Sequence, residues 1–267
     1  MEAGRIEPSE DGSMRWIALT AMLLLPARAA TLKRETVEAF DRYVRQTEER
    51  RAASGTFLWA DESADRARRV RQGEVVVMPF HARPEMKVPD GLIHDWVGSV
   101  FIPGVTLPRA LAMVQDYNRH KDIYQPEVID SKLLSRQGDD FRIYLRLVKK
   151  KVITVVLNTE HEVKYTALDS TKCRSVSRTT KIAEVENPGK KDEREKPPGT
   201  GEGFLWRLNS YWSFEERDGG VWLECQAISL TRDVPAGLGW LIEPIIRNLP
   251  RESLENTLRS TRTALAR

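Results

Sequence analysis

Apolar positions in this chain recur with two different periods, and the order in which those periods follow one another predicts its elements. Residues 91–102, Gly-Leu-Ile-His-Asp-Trp-Val-Gly-Ser-Val-Phe-Ile, predict a strand that Pro103-Gly104 stops. Thr106 stands where it would cap a helix whose first turn tolerates Pro108, and Leu107, Ala110, Leu111, Val114 and Tyr117 recur at helical spacing until about His120. Alternation follows: Phe141, Ile143, Leu145 and Leu147 against Arg142, Tyr144 and Arg146 predict a strand with one buried face. Residues 151–158 are apolar on both faces and predict a central strand. Residues 160–168 alternate again, with His161, Val163, Tyr165 and Ala167 on one side. In 172–185 a common face carries Arg174, Val176, Arg178 and Thr180. Residues 203–215 and 221–231, joined around Asp218-Gly219-Gly220, make the clearest hairpin. Finally Leu238, Leu241, Ile242, Ile245, Ile246 and Leu249 form an apolar stripe at helical spacing, continued by Leu254, Leu258 and Leu265. Pro244 and Pro250 are expected to kink or divide this helix, because each lacks an amide donor and crowds the preceding turn.

The segments outside this series differ in kind. Residues 31–53 carry Val37, Phe40, Tyr43 and Val44 on one stripe and predict an amphipathic helix. Residues 61–71 predict a second short helix, 74–80 a strand, and Pro79, Pro84 and Pro89 an extended connector. Together 30–90 read as an N-terminal helical extension. Residues 187–203, with Pro188-Gly189, a charged run and Pro197-Pro198-Gly199, predict a flexible loop. Residues 1–29 read as a signal peptide: Arg15, about ten apolar residues from Trp16, then Pro26 and the small-x-small region Ala27-Arg28-Ala29. The run falls short of the roughly twenty residues that span a bilayer. Glu2, Glu7, Glu10 and Asp11 make the stretch before Met14 acidic, so the start is Met1 or Met14. The expected location is periplasmic or secreted.

The element order gives an α+β fold for residues 91–267: a curved antiparallel sheet wrapped around a long C-terminal helix. The chain resembles the START-like superfamily, also called SRPBCC, whose members include lipid-transfer domains, plant allergens and polyketide cyclases. The resemblance lies in the opening strand with Pro103-Gly104, the helix from Leu107 and the stretch from Tyr117 to Tyr124. It continues in Ser177-Arg178-Thr179, in Trp206-Arg207-Leu208-Asn209-Ser210-Tyr211, and from Glu224 through Ser229 to Asp233-Val234-Pro235. It implies a helix-grip fold with a cavity between sheet and helix.

Charge and composition narrow the function classes. With 42 basic and 39 acidic residues the formal net charge of +3 is too small to imply nucleic-acid binding. The cluster Arg66, Arg68, Arg69 and Arg71 either touches anionic lipid headgroups transiently or is a solvated helix face beside Asp61, Glu62 and Asp65. Cys173 and Cys225 are two free thiols or one disulfide. No nucleophile elbow, phosphate loop or metal spacing occurs, and no cofactor is expected. His94 and Asp95, adjacent on a strand, face opposite sides and do not form a direct relay. Glu224 and Gln226 are expected to be exposed.

The candidate ligand-binding residues are Leu238, Leu241, Ile242 and Ile245 from the closing helix, with Leu145, Leu147, Val163 and Tyr165 from the sheet. His161 shares a face with Val163 and Tyr165. Arg174 and Arg178 share the face of Val176, which is either cavity wall, where an arginine would clamp an anionic head group, or solvated exterior. Three functions stay open: an exported protein that holds or shuttles a hydrophobic small molecule or lipid, a cavity enzyme of cyclase or isomerase type, and an interaction protein presenting Trp206, Trp212 and Trp222 with its cavity filled.

Overall fold

The computed structural model describes residues 30–150, 154–233 and 239–267, with only the backbone described for 239–247. In chain order the elements are β1 (Ala30–Thr31), α1 (Arg34–Ala53), α2 (Ala64–Arg71), β2 (Val76–Pro79), β3 (Glu85–Val88) and β4 (Gly91–Pro103). Then come α3 (Leu107–Val114), α4 (His120–Ile123), β5 (Val128–Gln137), β6 (Asp140–Lys150), β7 (Thr154–Ala167) and β8 (Lys172–Glu186). The chain closes with β9 (Arg194–Glu195), β10 (Thr200–Gly201), β11 (Arg207–Arg217), β12 (Gly220–Arg232) and α5 (Gly239–Leu265).

The main sheet is antiparallel in the order β2-β4-β12-β11-β8-β7-β6-β5. It is curled, because residues from its opposite halves enter one core: Val100 of β4 and Phe141 and Ile143 of β6 share a cluster with Leu254, Leu258 and Leu265 of α5. The helix is held from both sides. Gly98 of β4 lets Leu258 approach so closely that a Cβ at residue 98 would lie 2.6 Å from its Cδ1. From the other side Lys149 of β6 hydrogen-bonds Ser253, and the Tyr124 hydroxyl meets Thr261 at 3.2 Å. This is the helix-grip arrangement, with α5 as the gripped helix.

The convex face is covered by the N-terminal extension. Phe40, Tyr43 and Val44 of α1 pack on Ile93, Ile228 and Leu230. Leu58, Trp59 and Val70 pack on Val97, Phe101 and Trp222. Each large apolar side chain buried this way contributes roughly 1.5–3 kcal/mol gross. With α5 on one face and the extension on the other, β4 is buried from Gly91 to Ile102, which is why apolar residues occupy both of its faces.

Several elements depart from the pattern. Val128–Gln137 is a strand without visible alternation, because it is an edge strand with register shifts at Val128/Asp130 and Leu133/Ser135. The stretch expected as two strands around residue 159 is one, β7; residues 151–153 lie outside the described residues. Expected flexibility in 187–203 meets defined pairing: Glu195 and Arg194 pair with Val185 and Glu186, Gly201 pairs with Ala30, and the amides of Glu202 and Gly203 donate to Glu184 at 2.8 and 2.9 Å. The hairpin turn is Asp218-Gly219, both at positive φ (57° and 73°), the two-residue turn whose twist suits paired strands. Helix α5 is continuous through Pro244 and Pro250, so neither divides it.

Candidate functional site

Antiparallel register turns the concave face into rows of side chains across the sheet. From β4 to β7, the first row is Val100, Leu223, Phe214 and Cys173, which closes the core under Leu258. The second is Gly98, Cys225, Trp212, Ser175 and Tyr165. Next comes Trp96, Ala227, Ser210, Ser177 and Val163, then His94, Ser229, Leu208, Thr179 and His161. Polarity rises row by row away from the closed end. β12 ends at Arg232, which pairs with Gly91 at the His94 end of β4, and α5 follows it in the chain.

Side-chain size opens the middle of this face. Ala227, Ser210 and Ser177 sit on three adjacent strands and are each only half-buried, while Trp96 and Val163 at the two ends of the same row are buried. Small residues flanked by large buried ones leave a concavity that solvent reaches, bounded by aromatic and aliphatic walls.

The polar groups of the face are held uncharged. The Thr159 hydroxyl donates to the carbonyl of Leu145 (3.0 Å), so it accepts from Nε2–H of His161 at 2.9 Å, leaving Nδ1 to accept from Ser177 at 3.4 Å. Burial pushes the His161 pKa down to about 4, so the ring is neutral at physiological pH. Tyr165 and Tyr117 share a hydrogen bond of 2.9 Å, and burial raises both phenols above their ordinary range. Thr261 donates to the Thr257 carbonyl, so Tyr124 donates to Thr261; burial pushes its pKa up to about 12. The four rows hold no charged side chain. Glu85, on edge strand β3, stands opposite His94.

The residues expected to line the site divide into three groups. Leu145, Leu147, His161, Val163 and Tyr165 lie together on the concave face, with His161, Val163 and Tyr165 buried. Arg174 and Arg178 lie on the opposite face. Arg178 pairs with Glu48 of α1, and the Arg174 guanidinium lies 4.9 Å from the Phe57 ring centroid, so neither arginine reaches the concavity. Leu238 lies outside the described residues; Leu241, Ile242 and Ile245 are in α5, but their side chains lie outside what is described.

Other expectations are corrected. Glu224 is 2% exposed, because its carboxylate accepts the amides of Trp59 and Ala60 at 3.0 and 3.1 Å from the extension. Gln226 is fully buried and donates to Asp95 at 2.8 Å. Trp206 and Trp222 are buried and Trp212 lines the concave face, so they form no exposed tryptophan surface. Cys173 and Cys225 are free, buried thiols on strands separated by β11. Among the described residues no His, Cys, Asp and Glu group is arranged to hold a metal, and no helix is long and apolar enough to cross a membrane.

Sequence reasoning misses the polar half of the wall. Ser175, Ser177 and Thr179 alternate with Arg174, Val176 and Arg178, and the period of two does not say which set faces inward. His94 and Trp96 also face inward, but they sit in a strand buried on both faces, where alternation does not separate inward from outward positions.

No protein-family model and no curated protein matches this chain. It is similar to solved structures at low identity. One is TTHA0849 from Thermus thermophilus (15% identity, TM-score 0.46, 63% of this chain and 94% of that one). Another is a STAR-related lipid transfer protein from Xanthomonas axonopodis (16%, 0.45, 72% and 99%). A third is the Zhui aromatase/cyclase from Streptomyces sp. R1128 (12%, 0.40, 65% and 93%). By its own element order and strand register, this chain has the START-like helix-grip fold.

Proposed function

We propose that this protein binds a hydrophobic small molecule or lipid in the concavity between sheet and α5, and holds or shuttles it. The observation that carries the reading is the half-buried centre of the concave face, Ala227, Ser210 and Ser177, framed by buried Trp96 and Val163. Each ligand methylene moved out of water there contributes about 0.8 kcal/mol, before the costs of association. The uncharged rows favour an uncharged ligand, since a carboxylate or phosphate would be desolvated there with no cation in those four rows to pair with it. The apolar run and Ala27-Arg28-Ala29 near the N-terminus support export, placing the exchange in the periplasm or outside the cell.

A cavity enzyme is the weaker reading. Both nitrogens of His161 are engaged by Thr159 and Ser177, and its low pKa leaves it without an acidic imidazolium proton to give at neutral pH.

Native mass spectrometry of the purified protein, with solvent extraction of what it carries, tests the proposal. A co-purifying uncharged lipid, or saturable binding of the neutral fluorophore N-phenyl-naphthylamine, is expected. Neither appearing overturns the reading.

A further inference from the structure

Two polar atoms on the concave face of β4 are buried with no hydrogen-bond partner among the described residues: Nδ1 of His94 and Nε1 of Trp96. The residues are 1% and 7% exposed and lie two apart on one strand, so both side chains project from the same face. The tautomer of His94 follows from its neighbour. Thr231 donates its hydroxyl to the carbonyl of Arg232 at 3.3 Å and therefore accepts from His94 Nε2–H at 3.1 Å. That leaves Nδ1 as a lone-pair acceptor. Trp96 Nε1–H is a donor only. Such buried groups are almost always satisfied in folded proteins, and leaving both empty is costly.

The geometry points to a ligand hydroxyl as the missing partner. An alcohol donates its proton to His94 Nδ1 and accepts from Trp96 Nε1–H. An ether or ketone answers only the tryptophan, and a carboxylate turns lone pairs towards the lone pair of His94. The polar end of the ligand is therefore a neutral hydroxyl seated between His94 and Trp96, with its apolar body over Ala227, Ser210 and Ser177. This rests on the hydrophobic-ligand reading above and specifies the chemical class it takes.

Displacement of N-phenyl-naphthylamine from the purified full chain by dodecanol, its methyl ether and dodecanoate tests it. Dodecanol is expected to compete about fivefold better than the ether, the factor corresponding to one net hydrogen bond of about 1 kcal/mol, and better than dodecanoate. That ratio falls towards one in Trp96→Phe and His94→Phe. Thr231→Val, similar in shape and removed from the ligand, lowers it by releasing the ring, and serves if the other variants do not fold. Fluorophore binding without an alcohol preference in the wild type, as a water molecule in the seat would give, overturns this inference alone. A preference that survives all three substitutions does the same. Failure of the fluorophore to bind the wild type overturns the reading beneath it.

Discussion

Tyr43 of α1 donates a hydrogen bond of 2.8 Å to Asp95 on the convex face of β4, tying the N-terminal extension to the sheet through a buried carboxylate. Gln226 donates to both oxygens of the same group, at 2.8 and 3.0 Å, and Arg51 donates to Gln226 at 2.8 Å. Tyr43→Phe leaves the carboxylate buried with one donor fewer. A loss of about 1–3 kcal/mol in unfolding free energy is expected, with naphthylamine affinity unchanged because the concavity lies on the other face. Urea denaturation measures the first and fluorescence titration the second; an unshifted denaturation midpoint would show that the bond contributes nothing.

The stability of the protein depends on pH through two opposed sets of buried groups. Burial holds His94, His120 and His161 at about 4, below the ordinary 6.5. Between those values the unfolded chain binds more protons, so their contribution grows as pH rises and is complete above about 6.5. Burial raises Asp95 from 3.8 to about 6 and Glu224 from 4.5 to about 7. There the folded state binds more protons, so their contribution is complete below about 4 and is lost as pH rises to 7. Three histidines outweigh two acids, so acid destabilises the wild type overall. Glu224→Gln removes part of the opposition. Relative to wild type it should gain on the order of 2–3 kcal/mol between pH 4.5 and 7. Parallel stability curves for the two proteins across that window would remove the argument.

How far the site can be read from sequence follows from what covers each face. In β6 and β7 one face is apolar and the other charged, so Leu145, Val163 and Tyr165 declare themselves. In β8 both faces are mixed, because one lines the concavity and the other meets α1. Arg174 and Arg178 are therefore indistinguishable in pattern from Ser175 and Ser177. In β4 and β12 the extension covers the convex face, so the alternation that would single out His94, Trp96 and Glu224 is lost. Continuity of α5 through two prolines is likewise hidden. Pro244 and Pro250 lack donors wherever they stand, but packing of Leu254, Leu258 and Leu265 in the core carries the helix on.

Gly98 sets how closely α5 lies on the sheet. A Cβ there would meet Leu258 Cδ1 at 2.6 Å and Val77 Cγ2 at 2.9 Å, and Leu258 is fully buried. Gly98→Val forces the helix to move and should cost about 1–3 kcal/mol or more, as overpacking does. Adding Leu258→Ala makes room and should recover part of the loss. A double-mutant cycle by thermal or urea unfolding measures the coupling; additive costs would mean that the helix is not seated on Gly98.

The concavity itself is tested by filling it. Ser177 and Ser210 face each other across β8 and β11 in the row whose centre is half-buried. Ser177→Leu adds three carbons and removes a hydroxyl, placing apolar volume where a ligand body would lie. Because the centre is open, the larger side chain meets space rather than packed neighbours, so the expected stability loss of about 1–3 kcal/mol comes from buried Nδ1 of His161, which loses its donor. Naphthylamine affinity should fall at least tenfold, since the ligand loses the surface it would cover. Arg178→Gln, on the convex face, breaks the pair with Glu48 and should leave that affinity within twofold of wild type. If Ser177→Leu binds as well as wild type while Arg178→Gln does not, the ligand sits on the convex side, under the N-terminal extension.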